Sequence, residues 1–295
     1  MPELPDLVLY VDLILARVAG RPLDRVRIVG PNLLRTVSPA PESAEGRSVQ
    51  GVRRLGKRIV LEFEGGPLYA LHLMVAGRLH WRGPGARIPL RVGLAAFDFP
   101  AGSLMLTEAG SHRRASLHVV ADRPALAALD AGGLEPLEAT LDQFQDALAR
   151  EDHTLKRALT DPRLFSGIGN AYSDEILHRA RLSPLARTGR LEPREVERLH
   201  AATRATLAEW IERLRSEAGA AFPEKVTAFR GGMAVHGRYR QPCPECGAPV
   251  QRIVYAENET NYCARCQTGG RLLADRALSR LLNADWPRTL EELEG

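Results

Sequence analysis

The stretch CPECGAPVQRIVYAENETNYCARC, residues 243–266, contains every cysteine of the 295-residue chain. Cys243 and Cys246 form one Cys-x2-Cys knuckle and Cys263 and Cys266 a second, with sixteen residues between them. Two knuckles at this separation bring four thiolates to the corners of a tetrahedron, the ligand set of one structural zinc ion. Cysteines confined to such a cluster point to metal binding in a reducing compartment rather than to disulfides. The intervening 247–262 have the length of a β-hairpin, and Gly247 and Asn258 stand where its turns need them. A closed four-cysteine site leaves no coordination position for water, which disfavours a zinc-dependent hydrolase. The hairpin can still present Arg252, Tyr255 or Arg265 to a partner.

Upstream of the knuckles, residues 218–240 hold Gly219, Pro223, Gly231, Gly232 and Gly237 and read as a loop. Before it the pattern is helical, with candidate helices at 123–131, 140–150, 153–160, 170–182 and 193–217. The last carries Leu199, Thr203, Leu207, Trp210, Ile211 and Leu214 on one face. Breaks fall at Asp161-Pro162, Ser166-Gly167-Ile168-Gly169 and Ser183-Pro184. The glycine turn leads to Asn170, expected at a helix N-cap, where exposed N–H groups and the positive helix end would attract a phosphate. The competing reading is an ordinary turn before a helix.

Further upstream the period changes to two. Segments 24–29, 49–55, 58–64, 68–74, 77–81, 92–99, 103–108 and 115–120 are short, rich in Val, Leu, Ile and Phe, and separated by Gly/Pro turns. Many short strands at this spacing predict an antiparallel sandwich or barrel, and the sandwich is taken as the expectation. A helix over 4–19, with Leu4, Leu7, Val8, Val11, Ile14, Leu15 and Val18 in a stripe, precedes them, and 271–283 reads as one more helix. The fold class is therefore α+β. Four regions result: 1–122, a helix plus β-sandwich; 123–235, helical; 236–270, the zinc hairpin; and 271–295, a helical extension.

Hydrophobic residues make up 44% and charged residues 26%, the profile of an ordinary globular protein. No apolar run approaches the roughly 18 residues of a membrane span, and no signal peptide is evident, so a cytoplasmic protein is expected. Net charge is +4. Between Arg47 and Arg91 nine Lys/Arg face two acids, Glu62 and Glu64. Such a local excess suits nucleic acid, the alternative being a solvated strand face.

The chain starts Met1-Pro2-Glu3-Leu4-Pro5-Asp6. Removal of Met1 would leave Pro2 as a secondary amine, with a terminal-amine pKa of about 7.7–8.0 before tuning. Such an amine can attack an electrophilic carbon and form an iminium, and Glu3 beside it can move protons. Alternatively, Pro2 and Glu3 simply begin a helix.

The Pro-Glu-Leu-Pro start, the Gly167-Ile-Gly-Asn170 turn and the four-cysteine hairpin together resemble the formamidopyrimidine-DNA glycosylase/endonuclease VIII family of base-excision repair. The likeness runs from residue 1 to about 268. It includes Arg54-Leu-Gly-Lys57-Arg-Ile-Val-Leu-Glu, similar to the family's lysine-bearing hairpin, and His72-Leu73 with Gly77 and Leu79. The resemblance implies an N-terminal β-sandwich, a helix-two-turn-helix domain and a zinc hairpin, with DNA across the cleft and the damaged nucleotide flipped out. It implies a monomer acting on damaged DNA, duplex or single-stranded, and associated with the nucleoid.

Carried over by position, Pro2 would attack C1′, Glu3 would protonate the sugar oxygen and shuttle protons, Lys57 would contact the damaged site and its phosphate, and Asn170 would bind phosphate. Elimination from the iminium would then cut the strand. Several positions depart from the family pattern. Asp6 stands where glutamate is usual, Val75 replaces the methionine that fills the gap left by the flipped base, and Asn258 falls at a phosphate-binding arginine. The turn Gly110-Ser-His-Arg113-Arg114-Ala115 keeps arginines but has Ala115 in place of an aromatic wedge. Arg113 and Arg114, with Arg91, complete the expected DNA-contacting set. These changes imply a preference other than 8-oxoguanine opposite cytosine. Two other readings compete: a non-catalytic damaged-DNA-binding protein of the same fold, and a zinc-ribbon module fused to an unrelated β-domain. Histidines 72, 112, 118, 178 and 236 lack ligand spacing and read as packing or phosphate contacts.

Overall fold

A computed structural model describes the chain except for Ser111, Lys225, 227–229, 256–257, 274–286 and Gly295, and except for the side chains of Pro31, Tyr255, Asn258, Leu293 and Glu294. Two compact units emerge. One comprises Met1–Ala131 with Trp210–Thr227, the other Gly132–Glu209 with Ala228–Gly295.

The first unit opens with α1 (Leu4–Val18), which has a proline in its first turn and a capping box made by Glu3 and Asp6. Leu7, Tyr10, Ile14 and Val18, three or four residues apart, face the core between two antiparallel four-stranded sheets. One sheet has the order β1-β6-β7-β5, from β1 (Arg25–Ile28), β6 (Gly93–Phe99), β7 (Gly102–Glu108) and β5 (Gly77–Arg82). The other has the order β2-β3-β4-β8, from β2 (Val49–Leu55), β3 (Arg58–Phe63), β4 (Leu68–His72) and β8 (Ser116–Val120). Strands β6 and β7 are buried throughout, including the polar Asp98, Ser103, Thr107 and Glu108 toward their ends. Each fully buried Leu, Ile or Phe contributes about 1.5–3 kcal/mol. Leu9 and Leu13, on a second face of α1, pack against Leu214.

In the second unit α3 (Leu141–Ala149) starts with a Thr140–Gln143 capping box, and α4 (Leu155–Thr160) precedes α5 (Asn170–Ala180). The short α2 (Arg123–Ala127) belongs to the first unit, and α6 (Pro193–Ala218) passes from one unit into the other at Trp210. The hairpin β9 (Val250–Tyr255) and β10 (Asn258–Cys263) leads into α7 (Ala264–Thr268), a single turn inside the second knuckle.

All eight predicted sandwich strands and the hairpin form, with ends moved by one or two residues. Ala218 still belongs to α6, and beyond it the expected loop at 218–240 forms no regular element among its described residues. From residue 274 the helix expected at 271–283 lies outside the described residues. Residues 271–273 are not helical: Arg271 bridges to Thr289, Leu272 N–H donates to Arg288 O at 2.8 Å, and Leu273 N–H to the Tyr262 hydroxyl at 2.7 Å. Leu272, Leu273 and Leu290 thereby join Val250, Ile253 and Tyr262 in one core, which overrides the local helical stripe. No helix among the described residues is long and apolar enough to cross a membrane.

Candidate active site, phosphate turn and zinc centre

At the start of α1, Pro2 is buried and Glu3 is 3% exposed. Glu3 N–H donates to Asp6 Oδ2 at 2.9 Å, so Asp6, though short, completes the capping box. Burial lowers the pKa of the Met1 amine below its ordinary 8.0. Glu3 and Asp6 favour its charged form, and Arg78 and Lys57 oppose it. The sequence places Glu3 and Lys57 fifty-four positions apart; the fold brings both within electrostatic reach of one amine.

Lys57 occupies the two-residue turn between β2 and β3, where Leu55 pairs with Arg58 and Gly56 adopts φ +58°. A glycine takes that left-handed conformation without penalty, and the tight turn sets Lys57 at the hairpin tip. Arg78, which was not singled out from sequence, donates to the Val75 and Gly77 carbonyls at 3.1 and 2.6 Å. Gly77 is fixed by space: a Cβ there would lie 2.2 Å from Leu73 O. In the same turn Met74 has φ +53° and Val75 is 60% exposed. His72 Nδ1 accepts the Met74 N–H at 3.0 Å. Burial, together with Arg58, Lys57 and His118, holds His72 neutral, its pKa down to about 4.

The loop between β7 and β8 is organised by Glu108, itself 2% exposed, which accepts from Arg114 N–H at 3.0 Å and Ala115 N–H at 2.9 Å. The Arg113 guanidinium donates to the Arg91 carbonyl, and the side chains of Arg91, Arg113 and Arg114 are exposed. Ala115 is 3% exposed and belongs to the sandwich core, so position 115 presents nothing outward. Much of the basic stretch is structurally engaged. Arg53 pairs with Glu62, Arg82 with Glu224, and Arg47 and Arg58 donate to backbone carbonyls.

In the second unit the helix start differs from expectation by one residue. Gly169 is the N-cap of α5 and Asn170 its first residue. Asn170 does not cap its own helix, because its Nδ2 donates to Glu259 O of β10 at 2.9 Å. Lys156 Nζ donates to Asn170 O at 2.7 Å and to Asp174 Oδ1 at 2.5 Å. Asp174 Oδ2 pairs with His236 Nδ1 at 2.8 Å and accepts Asn261 N–H at 3.1 Å. Glu175 accepts three N–H groups, from Ala234, Val235 and His236, at 2.7–2.9 Å. Burial raises its pKa, and those donors pull the other way. This lattice has no local sequence signal because its partners lie up to 89 positions apart.

The four Sγ atoms lie within 4.8 Å of one another, with Cys243–Cys266 at 3.9 Å and Cys246–Cys263 at 3.4 Å. A tetrahedron with Zn–S of about 2.3 Å has edges of about 3.8 Å. The cradle fits one structural zinc. Of the residues that the hairpin could present, Arg252 is held by Glu259 at 3.3 Å and stacks over Tyr239 at 4.3 Å, and Arg265 donates to Cys246 O at 3.2 Å. The side chains of Tyr255 and Asn258 lie outside the described residues.

Three family models match in order: the formamidopyrimidine-DNA glycosylase N-terminal domain over residues 1–127, that enzyme's H2TH domain over 133–220, and a zinc finger found in FPG and IleRS over 240–269. The chain is 34% identical over 284 residues to the formamidopyrimidine-DNA glycosylase of Thermus thermophilus, covering 92% of this chain and all of that one. It is 32% identical to that of Symbiobacterium thermophilum, covering 90% and 89%. An uncharacterised formamidopyrimidine-DNA glycosylase-like protein of Mycobacterium tuberculosis is 39% identical over 150 residues, 51% of this chain and 93% of the relative. Among solved structures, the Lactococcus lactis glycosylase bound to abasic-site DNA matches with a TM-score of 0.79 at 21% identity, over 90% of this chain and 99% of that one. With the order of the matched regions, the zinc cradle and this identity over nearly the whole length, the chain belongs to the formamidopyrimidine-DNA glycosylase/endonuclease VIII family.

Proposed function

We propose that the protein is a bifunctional DNA glycosylase and abasic-site lyase that works from Pro2 once Met1 is removed, with residues 1–122 as its catalytic domain. The observation that carries this reading is the chain start, where Pro2 and Glu3 are buried and the amine of Met1, one residue before Pro2, has its pKa lowered by burial. The Pro2 amine of the mature chain would stand in the same surroundings. A lowered pKa leaves more of the amine unprotonated at neutral pH, and only that form has a lone pair to attack with. The named activity of the relatives supports the same assignment.

In the proposed reaction the Pro2 nitrogen bonds to C1′ of the damaged nucleotide. The C1′–base bond breaks, and Glu3 gives a proton to the sugar oxygen as the ring opens. The resulting iminium draws electrons from C1′, so a proton leaves C2′ and the 3′ phosphate departs in β-elimination. A second elimination releases the 5′ phosphate. Lys57 contributes positive charge beside the damaged site, which favours both the neutral amine and the phosphate. Asn170, Arg91, Arg113 and Arg114 contact the DNA backbone, and one monomer acts on duplex or single-stranded damaged DNA.

Borohydride reduces an iminium to a stable amine. Incubation of the protein with lesion-bearing DNA and borohydride therefore yields a covalent adduct whose mass shows a chain starting at Pro2. Retention of Met1 on active protein, or no adduct, overturns the assignment and leaves the non-catalytic DNA-binding alternative.

Lesion preference follows from the two loops. Val75 is an exposed apolar tip, while Ala115 is buried and offers no wedge. A duplex is then propped open less, which favours oxidised pyrimidines, abasic sites or lesions in single-stranded or distorted DNA over 8-oxoguanine opposite cytosine. Cleavage rates for one lesion in single strand and duplex, set beside duplex 8-oxoguanine opposite cytosine, test this. A strong preference for the last refutes it.

A further inference from the structure

Helix α5 meets the zinc hairpin through three side chains one helical turn apart. Asn170 Nδ2 donates to Glu259 O at 2.9 Å, Asp174 Oδ2 accepts Asn261 N–H at 3.1 Å, and His178 Nε2 lies 3.2 Å from Cys243 Sγ. Residues at i, i+4 and i+8 share one helix face. The first two reach the backbone of β10, whereas the third reaches a metal ligand.

Four thiolates around a zinc ion carry a net charge of −2 (+2 with four of −1). Cys243 and Cys263 are 2% and 0% exposed, so their sulfurs need donors from within the protein. Cys263 Sγ receives Cys266 N–H at 3.5 Å, and Cys246 receives Ala248 N–H, both from the knuckles themselves. Cys243 is served instead from another element, by His178 on α5. Side chains that hydrogen-bond a ligating atom fix its position, and their loss commonly weakens metal binding by about 10- to 100-fold.

We propose that His178 is a positioning residue of the zinc centre: its Nε2–H donates to the Cys243 thiolate and ties the metal to the helix that begins at Asn170. Gln267 reinforces the tie at the far end of α5, accepting Cys263 N–H at 2.8 Å and donating to Leu182 O at 2.9 Å. The assignment concerns the metal site and stands apart from the glycosylase reading.

Two measurements on the full-length, metal-loaded protein test it. In protein substituted with cadmium-113 and labelled with nitrogen-15 histidine, a scalar coupling between the His178 Nε2 proton and the metal is expected through the N–H···S bond. A proton on Nδ1 with none on Nε2 overturns the proposal. In the second, zinc release from His178→Phe to a colorimetric chelator is expected to be about 10- to 100-fold faster than from wild type, with His178→Gln, which keeps an N–H donor, in between. Unchanged release from a folded His178→Phe overturns it as well. If that variant fails to fold, the cadmium experiment on the unaltered protein decides.

Discussion

Glu3 and Asp174 are both buried carboxylates, 3% and 0% exposed, yet their surroundings differ in kind. Glu3 sits where a helix and a chain terminus coincide; its neighbours include an amine whose protonation it favours and two cations that oppose it. Asp174 is enclosed by Lys156, His236 and the Asn261 N–H, each at hydrogen-bond distance. A carboxylate beside a titrating amine can exchange protons, whereas one closed in by an ammonium, an imidazole and a backbone N–H is scaffold. Burial is common to both, so the identity of the partners separates chemistry from architecture.

The sharpest way to break that contrast is at the terminus. Pro2→Gly is expected to lower borohydride trapping by about 10³-fold or more, and Glu3→Gln to lower base excision by about 10²–10⁴-fold. Both should leave the thermal midpoint within a few degrees of wild type. The converse holds at Asp174. Removing one partner of a buried pair costs about 3–5 kcal/mol, so Asp174→Ala should lower the urea midpoint strongly, while any chemistry in the surviving folded fraction keeps its trapping competence. A stable Asp174→Ala with no trapping would reverse the two roles.

Smaller effects refine the first unit. Gly77→Ala forces a Cβ toward Leu73 O and is expected to cost about 1–3 kcal/mol, read by denaturant unfolding. Lys57→Met removes a charge that lowers the pKa of the amine. The acid limb of the trapping-versus-pH profile should therefore move to higher pH, because the amine then holds its proton longer. His72 gives the mildest signal. Its folded pKa of about 4 lies below the unfolded value of about 6.5, so its contribution is complete above pH 6.5 and is lost as pH falls toward 4. His72→Gln should flatten the fall in urea midpoint over that window.

The strands of the sandwich were legible because apolar residues separated by Gly/Pro turns carry a local signal. The zinc ligands were legible because a knuckle is a short-range pattern. Asn170 was expected at the N-cap and stands one residue inside α5, and its engagement with Glu259 was not visible, since no local rule links residues 89 positions apart. Arg78 and Glu108 escaped notice for the same reason, and the contact of His178 with Cys243 was not visible: each acts on atoms brought to it by strand pairing or helix packing. At 271–273 the stripe misled, because Leu272 and Leu273 serve the hairpin core; the rest of the expected helix lies outside the described residues.

By itself the sequence determined the class of fold and the metal, because both rest on composition and short spacing. Tertiary structure alone decided which charges face the terminal amine, which carboxylates are enclosed by partners and which helix packs beside the Cys243 sulfur. Those outcomes depend on distances between residues far apart in the chain, and such distances exist only once the sheets and helices have packed.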